Sequence, residues 1–151
     1  MKIQARIRFA DPKDIDAIIQ LCQAHAHFEK AEYNPEGKAK LLAQGIFSEQ
    51  PKLYCLVVES DGVLIGYATY MKQYATWDAE QYVYMDCLYL KEFARGLGIG
   101  EKLMRRIQSE SQKLGCSHIQ WQTPDFNVRA IKFYNRIGAH AKPKERFFLT
   151  C

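Results

Sequence analysis

The sequence predicts an α/β fold with a mixed sheet, on the basis of three observations. Segments with strand periodicity and segments with helix periodicity are interspersed along the chain. The pair Asp61-Gly62 lies between two apolar runs and is a strong hairpin signal, which makes two of the strands antiparallel. A further strand leads through a glycine-rich turn at 95–100 directly into a helix. A chain of 151 residues suits one core, so we expect a single domain over 1–151.

The first half of the chain predicts a strand, two helices and the hairpin. Asp11 is a good N-cap, Pro12 suits the first helical position, and Asp14 follows three residues after the cap. Alternating apolar and polar residues indicate the strands, and apolar residues at helical spacing indicate the helices. The expected elements are a strand at 3–9, helices at about 12–30 and 38–48, and strands at 53–59 and 63–74.

The second half continues with strands and helices in alternation. Ile99 to Leu114 carry apolar residues on one helical face, and Gly115 suits the end of that helix. Asn127 is a suitable N-cap for the next helix, and Gly138 suits its stop. The expected elements are strands at 81–90, 117–123 and 146–151, and helices at about 99–114 and 127–138.

Composition and charge argue against several classes of function. The net charge is +4 with scattered Lys and Arg residues, which does not by itself indicate a nucleic-acid surface. No stretch approaches the roughly 18 apolar residues that span a membrane, and the chain does not start with a signal-peptide pattern. The five cysteines are far apart and form no CxxC pair, so we expect reduced thiols in a cytoplasmic protein and no zinc site.

The glycine-rich turn has Gly96, Gly98 and Gly100 at every second position, just before the predicted helix. Each glycine costs about 0.5–1 kcal/mol relative to alanine in a regular element. Without side chains there, a ligand can lie against the first amides of the helix, which lack partners and are electropositive. With Arg95 at the rim, the turn is typical of a site for a phosphorylated cofactor. On spacing alone a tight turn without a ligand remains the alternative, and the P-loop and dinucleotide spacings are absent.

Two motifs resemble the GNAT superfamily of N-acetyltransferases. The segment RGLGIG at 95–100 resembles the family's acyl-CoA signature: Arg or Gln, two residues, Gly, one residue, then Gly or Ala. A second family segment is matched by Asn127, Ala130, Phe133-Tyr134 and Gly138-Ala139, and His140 departs from the usual Phe. Within the superfamily the chain is similar to the diamine acetyltransferases of the spermidine/spermine type, notably at 27–30, 46–59 and 133–139.

This resemblance implies a mixed, mostly antiparallel central sheet with splayed central strands and about four flanking helices. It also implies acetyl-CoA as the cofactor, bound partly by backbone groups where the strands splay. The amide of Leu88 is expected to polarise the thioester carbonyl. The residues implied to bind acetyl-CoA are Leu88, Tyr89, Leu90, Arg95, Gly96, Leu97, Gly98, Ile99, Gly100, Glu101, Asn127 and Ala130.

Two residues are expected to be catalytic. Acetyl transfer to an amine requires loss of the ammonium proton, because an alkyl ammonium has a pKa near 10. The resemblance places Asp86 where many family members carry a Glu base, and the shorter side chain favours a bridging water. It places Tyr134 where a phenol protonates or hydrogen-bonds the leaving thiolate. The structural alternatives are that Asp86 pairs with a cation or caps a bulge, and that Tyr134 packs in the core.

The acceptor site is expected to involve Phe28, Glu29, Trp77 and Asp86. Glu29 matches a carboxylate that grips a polyamine in the family, and Trp77 could stack on an amine. Cys87 stands where polyamine-specific relatives tend to have a second acid, which favours a small diamine or an amino-acid side-chain amine. His25 and His27 point to different faces of a helix, so we expect them at the rim of the acceptor site or on the surface, and not sharing a metal.

The function predicted from these observations is acetyl-CoA-dependent N-acetylation of a primary amine on a small molecule. Substrate and cofactor bind together, and transfer is direct, without a covalent acetyl-enzyme. Two alternatives remain open at this point: acetylation of a protein or peptide, and a non-catalytic CoA-binding regulatory module. The expected partners are a small amine and a second copy of the chain in a homodimer, with no nucleic acid and no membrane.

Overall fold

The computed structural model describes residues 2–151. The five strands in these residues form one sheet in the order β1-β2-β3-β4-β5. Neighbouring strands are antiparallel from β1 to β4, and β5 is parallel to β4. The predicted mixed and mostly antiparallel sheet is therefore confirmed. The strands are β1 Arg6–Phe9, β2 Tyr54–Ser60, β3 Val63–Ala75, β4 Glu80–Leu90 and β5 Ile119–Trp121. The helices are α1 Ile15–Phe28, α2 Lys38–Phe47, α3 Ile99–Lys113 and α4 Val128–Arg136.

The chain enters α1 through the predicted cap. The Asp11 carboxylate accepts a hydrogen bond from the Lys13 amide, and the Asp14 carboxylate accepts one from the Asp11 amide at 2.8 Å. Residues Pro12–Asp14 form a single 3₁₀ turn before α1 begins, so the predicted start holds but its first turn is tighter. Asp14 also pairs with Arg8 of β1 at 2.7 Å, which ties the helix start to the sheet.

Two apolar layers cover the two faces of the sheet. One layer packs α1 and α2 against β2 and β3 and includes Ile18, Leu21 and Val57. The other packs α3 against β2 to β4 and includes Leu56 and Leu103. Val57 and Leu56 are adjacent in β2 and face opposite layers because successive strand side chains alternate. Burial on both faces explains why β2 is apolar along most of its length.

Strands β4 and β5 separate shortly after they pair, which confirms the predicted splay. Their pairing covers only Val83 to Met85 on β4, whereas β4 continues to Leu90. On its other edge β4 pairs with β3, and the register shifts there: Thr69 faces Cys87 while Tyr70 faces Met85. Asp86 is therefore the extra residue of a β-bulge, at the point where the two strands separate. The backbone of β4 beyond Asp86 has no strand partner on the β5 side.

The expected last strand at 146–151 is wrong. From 139 to 151 the backbone forms neither helix nor strand, and β5 covers 119–121 rather than the expected 117–123. Phe147, Phe148 and Leu149 are 81–95% exposed. The apolar pattern measures strand propensity, but a strand also needs a ladder partner and a face to bury, and this segment has neither in the described residues. No helix among residues 2–151 is both long and apolar enough to cross a membrane.

Candidate active site

A cavity of about 940 Å³ opens where β4 and β5 separate. The end of α1, the second half of β4, the glycine turn and α4 form its walls. Most of the predicted site residues line this one cavity: Phe28, Glu29, Asp86, Leu88, Tyr89, Leu90, Arg95, Gly96, Gly98, Gly100, Glu101, Asn127, Ala130 and Tyr134. Residues far apart in sequence are thus brought to one edge of the splayed sheet.

The glycine turn presents bare backbone at the start of α3. Gly98 is the N-cap of α3 with φ 81°, a backbone conformation that residues with a Cβ rarely adopt. No side chain caps the helix start. A Cβ built at Gly98 would meet no atom within 4 Å, so the space in front of these amides is open. The open space and the electropositive helix start fit a phosphate group.

Several basic side chains line the cavity. Besides Arg95, its walls include Arg129 and Arg136 of α4 and, from the C-terminal segment, Lys144 and Arg146. The sequence motifs predicted Arg95 alone, because the other four are isolated basic residues with no distinguishing spacing. Of these, Arg129 lies at the glycine turn, 3.8 Å from the position of a Cβ built on Gly96, and with Arg95 and the open helix start it fits an anionic phosphate.

Arg95 has more contacts than a residue at the rim needs. Its Nε donates a hydrogen bond to the Leu90 carbonyl at 2.8 Å, and its guanidinium lies over the Phe28 ring at 4.3 Å from the centroid. The hydrogen bond satisfies a carbonyl that strand splaying leaves without a ladder partner. Arg95 therefore connects the end of β4 to the end of α1, in addition to supplying positive charge.

Asp86 projects from the bulge of β4 and is exposed to solvent in the cavity. A bulge turns the extra residue out of the regular alternation, which is why an acidic side chain can stand beside the buried Met85. The thiol of Cys87 lies 3.8 Å from the Asp86 carboxylate. Burial, with a smaller effect from Asp86, raises the pKa of Cys87 to about 12, so this thiol stays protonated at neutral pH.

Tyr134 lines the cavity from α4. The start of α4 is held by Asn127, whose side chain accepts a hydrogen bond from the Ala130 amide at 3.3 Å. The ring of Tyr134 packs edge-on against Trp121 of β5, with centroids 5.1 Å apart. Burial, reinforced by the charge of Glu29, raises the pKa of Tyr134 to about 12. At neutral pH the phenol therefore keeps its proton and acts as a hydrogen-bond donor.

His25 lines the cavity, in keeping with its expected place at the rim of the acceptor site. The sequence did not indicate how enclosed it is: its side chain is only 13% exposed and contacts three aromatic or acidic side chains. It hydrogen-bonds to Tyr67, stacks on Tyr89, and pairs with Glu29. The spacing of His25 and Glu29, four residues apart on one helical face, was the available signal. His27 is exposed, as expected.

Three predicted site residues do not line the cavity. Leu97 is 49% exposed and Ile99 belongs to the core under α3, so only their backbone lies in the glycine turn. Trp77 is 99% exposed in the turn between β3 and β4. Thr69 pairs with Cys87, next to Asp86, and the β3–β4 ladder continues from there to Ala75 before the turn. These six residues place the turn about 20 Å along the strand from the acceptor site. The structure therefore does not bring Trp77 to the acceptor site.

The fold has counterparts among solved structures. An aminoglycoside N-acetyltransferase, AAC(6')-Iy, in complex with CoA matches with a TM-score of 0.82 at 16% identity, over 99% of this chain and 97% of that chain. An integron cassette protein from V. cholerae matches with a TM-score of 0.78 at 21% identity, over 99% and 93% of the two chains. Identities this low show the shared fold.

Sequence comparison shows the family. The sequence pattern of the family described as "Acetyltransferase (GNAT) family" matches residues 18–139. The chain therefore belongs to the GNAT acetyltransferase family, which confirms the resemblance carried by the two motifs. It is an N-acetyltransferase.

Several relatives carry names that specify the amine or amino acid concerned. The chain is 32% identical to a thialysine N-epsilon-acetyltransferase from Mus musculus, over 89% of this chain and 83% of the relative. It is 30% identical to a D-amino-acid N-acetyltransferase from Saccharomyces cerevisiae, over 87% and 83%. A spermidine/spermine N(1)-acetyltransferase-like protein from Homo sapiens is 26% identical over 89% of this chain and 20% of that longer protein.

Proposed function

We propose that this enzyme transfers the acetyl group of acetyl-CoA directly to a primary amine of a small diamine or an amino acid with a side-chain amine. The observation that carries the proposal is the content of the cavity. Two acidic side chains, Asp86 and Glu29, face the same space as the open glycine turn and the protonated phenol of Tyr134. The two carboxylates suit a cationic acceptor, and the open helix start suits a phosphorylated donor.

The proposed binding of acetyl-CoA uses mainly backbone groups. The pyrophosphate would lie against the amides from Gly96 to Glu101, with Arg95 and Arg129 as neighbouring cations. The pantetheine arm would extend along the unpaired backbone of Leu88 to Leu90. Asn127 and Ala130 would border it from α4. When bound, acetyl-CoA supplies an activated acetyl group as a thioester.

The residues of this chain are proposed to accept a proton from the acceptor and to donate a hydrogen bond to the leaving group. Asp86 accepts the proton that the acceptor ammonium must lose before its nitrogen attacks, directly or through one water. With acetyl-CoA bound, the nitrogen would form a bond to the acetyl carbon as the carbon–sulfur bond breaks, and the second proton that the nitrogen loses would pass to the departing sulfur, leaving an amide and the CoA thiol. Tyr134 stabilises the departing thiolate by donating a hydrogen bond. Because the pKa of Tyr134 is raised to about 12, well above that of an ordinary thiol, donation of a hydrogen bond is favoured over loss of the proton.

Direct transfer is supported by the state of the nearest thiol. A covalent acetyl-enzyme needs a thiolate nucleophile, and Cys87 is the thiol that lines the cavity. Its pKa is raised to about 12 by burial, so the thiolate fraction at neutral pH is very small. The imidazole of His25 is engaged by Tyr67 and Glu29 rather than by this thiol.

The choice of acceptor rests on the carboxylates and on the relatives. A small diamine or a dibasic amino acid offers one nitrogen for reaction and keeps further charge for binding. Relatives are named for thialysine and L-ornithine, which carry two amino groups each, and one is named for D-amino acids. The thiol of Cys87 in place of a second acid beside Asp86 favours short acceptors over long polyamines.

The proposal includes a homodimer. The exposed apolar residues Phe147, Phe148 and Leu149 and the edge position of β5 leave strand-forming surface uncovered in one chain. Packing of the C-terminal segment against a second copy of the chain would bury these apolar side chains and give the edge strand a partner. Size-exclusion chromatography with light scattering should give twice the mass of one chain, and deletion of 147–151 should shift it to one.

The function is tested by measuring free CoA released from acetyl-CoA in the presence of a panel of amines. The panel should contain 1,4-diaminobutane, spermidine, thialysine, L-ornithine, an aminoglycoside and a lysine-containing peptide. We expect turnover above background with the short diamine or the amino acids, and a large decrease in that turnover in Asp86→Asn. Turnover with the peptide alone would contradict the small-molecule assignment, and no turnover with any amine would contradict the proposed function.

A further inference from the structure

The imidazole of His25 is held between three elements of the fold. Its Nδ1 lies 2.8 Å from the hydroxyl oxygen of Tyr67 on β3, and its Nε2 pairs with the carboxylate of Glu29 just after α1. Its ring stacks on Tyr89 of β4, with centroids 5.1 Å apart and an interplanar angle of 23°. Both ring nitrogens and one ring face of His25 therefore have partners. The side chain is mostly buried and lines the cavity.

The partners decide which nitrogen of His25 carries the proton. An ionised carboxylate only accepts hydrogen bonds, so Nε2 must donate to Glu29. Burial raises the pKa of Tyr67, so its hydroxyl stays protonated, and in a neutral imidazole that donates from Nε2 the bare Nδ1 accepts the hydrogen bond from this O–H. The result is a neutral imidazole protonated at Nε2, with hydrogen bonds in one direction from Tyr67 through His25 to Glu29. Burial lowers the pKa of His25, which favours the neutral form, and the Glu29 charge opposes this effect.

Glu29 needs such a partner because its own position is loosely determined. It is the residue that follows the last residue of α1, and the chain turns at Lys30 with φ 59°. A glutamate in that place has several staggered rotamers open to it, some of which point into solvent. A hydrogen bond from a packed imidazole selects a rotamer, and this rotamer leaves the carboxylate at the wall of the cavity, 30% exposed.

We propose that His25 is a positioning residue of the acceptor site: it holds the Glu29 carboxylate toward the cavity and thereby makes the enzyme prefer acceptors with a second cationic nitrogen. This inference rests on the function proposed above. The reacting nitrogen loses its proton beside Asp86, and the second nitrogen stays charged and binds Glu29. An acceptor with one nitrogen has nothing to place there, so it gains nothing from His25.

The test compares two acceptors that differ in one nitrogen, 1,4-diaminobutane and n-butylamine. His25→Leu removes both hydrogen bonds and keeps an apolar side chain of similar bulk, whereas His25→Gln keeps an N–H donor that can reach Glu29. We expect His25→Leu to raise KM for the diamine about tenfold, with little change in kcat and in KM for acetyl-CoA. The kinetics with n-butylamine should change little, and His25→Gln should restore most of the preference for the diamine.

A double-mutant cycle identifies the route of the effect. Glu29→Gln should reproduce the loss of preference, and adding His25→Leu to Glu29→Gln should cause little further loss, because His25 acts through Glu29. Equal losses with both amines in His25→Leu would overturn the proposal, as would an unchanged preference or additive effects in the double variant. Thermal unfolding of each variant shows whether a change in kinetics reflects a change in folding.

A second measurement is independent of turnover. Nitrogen-15 NMR of the imidazoles reports which ring nitrogen carries the proton. We expect His25 to be the Nε2–H tautomer in the wild-type protein and to lose that single state in Glu29→Leu, which removes the acceptor at Nε2. A mixture of tautomers in the wild type, or the Nδ1–H form, would overturn the proposed hydrogen-bond direction. If no amine were turned over, the proposed function would fail, and this result would still decide the role of His25 toward Glu29.

Discussion

Substituting Gly66 by alanine tests how closely β3 must approach the end of β4. A Cβ at Gly66 would lie 2.8 Å from the Tyr89 carbonyl oxygen and 2.4 Å from Cδ2 of Leu90. The Leu90 methyl can rotate away, but the carbonyl belongs to the backbone. Ordinary contacts begin at 3.4 Å, so this part of β4 must move by about 0.6 Å.

That displacement has two expected consequences. Overpacking of this kind costs about 1–3 kcal/mol of the free energy of unfolding. The moved residues also carry the unpaired backbone groups proposed to bind pantetheine, so KM for acetyl-CoA should rise as well. The measurements are denaturant unfolding and steady-state kinetics at varied acetyl-CoA.

Gly45 supplies the matched control for this substitution. It lies inside α2, its φ is ordinary, and a Cβ there would meet nothing within 4 Å. Gly45→Ala should therefore increase stability by about 0.5–1 kcal/mol and leave KM unchanged. The packing argument is refuted if Gly66→Ala unfolds at the same denaturant concentration as the wild type and binds acetyl-CoA equally well.

Three further predictions concern acidic and thiol groups. Asp86→Asn should lower kcat/KM about 100-fold or more at neutral pH, and the residual rate should rise about tenfold per pH unit toward the amine pKa; a flat profile would argue against a base role. Cys87→Ser should keep most of its turnover in the CoA-release assay, and complete loss with both ligands still bound would contradict direct transfer. The hydrogen bonds from Arg8 hold the pKa of Asp14 below its usual range. Asp14→Asn should therefore cost about 2 kcal/mol in denaturant unfolding at neutral pH, and the cost should shrink as the pH falls through the folded-state pKa; a cost independent of pH would contradict this.

Much of the fold follows from local signals in the sequence. The Asp11 cap, the Asp61-Gly62 hairpin and the glycine turn each depend on residues within a few positions, and each forms as predicted. The two motifs also indicated which residues line the cavity from the glycine turn and α4. These features can be predicted from the sequence because their stability depends on residues close together in the chain.

Other features depend on contacts that no local pattern encodes. The burial of His25 requires Tyr67 and Tyr89, which come from two different strands far along the chain. The bulge at Asp86 is a property of the register between β3 and β4. The segment at 146–151 has the composition of a strand, but its pairing partner decides whether it forms one. Trp77 was expected at the acceptor site because its ring could stack on an amine, whereas the length of the β3–β4 hairpin carries it away.

The central claim is that the main-chain amides at the start of α3 bind the pyrophosphate of the coenzyme. Isothermal titration calorimetry with CoA tests it in three proteins: wild type, Gly98→Ala and Gly115→Ala. Gly98 and Gly115 have similar positive φ angles, 81° and 76°, and open space at the Cβ position, so the backbone strain of the two substitutions is matched. Only Gly98 lines the cavity. We expect CoA to bind the wild type and Gly115→Ala alike, and to bind Gly98→Ala at least about tenfold more weakly. Equal affinity in all three proteins, or no binding to the wild type, would contradict the account.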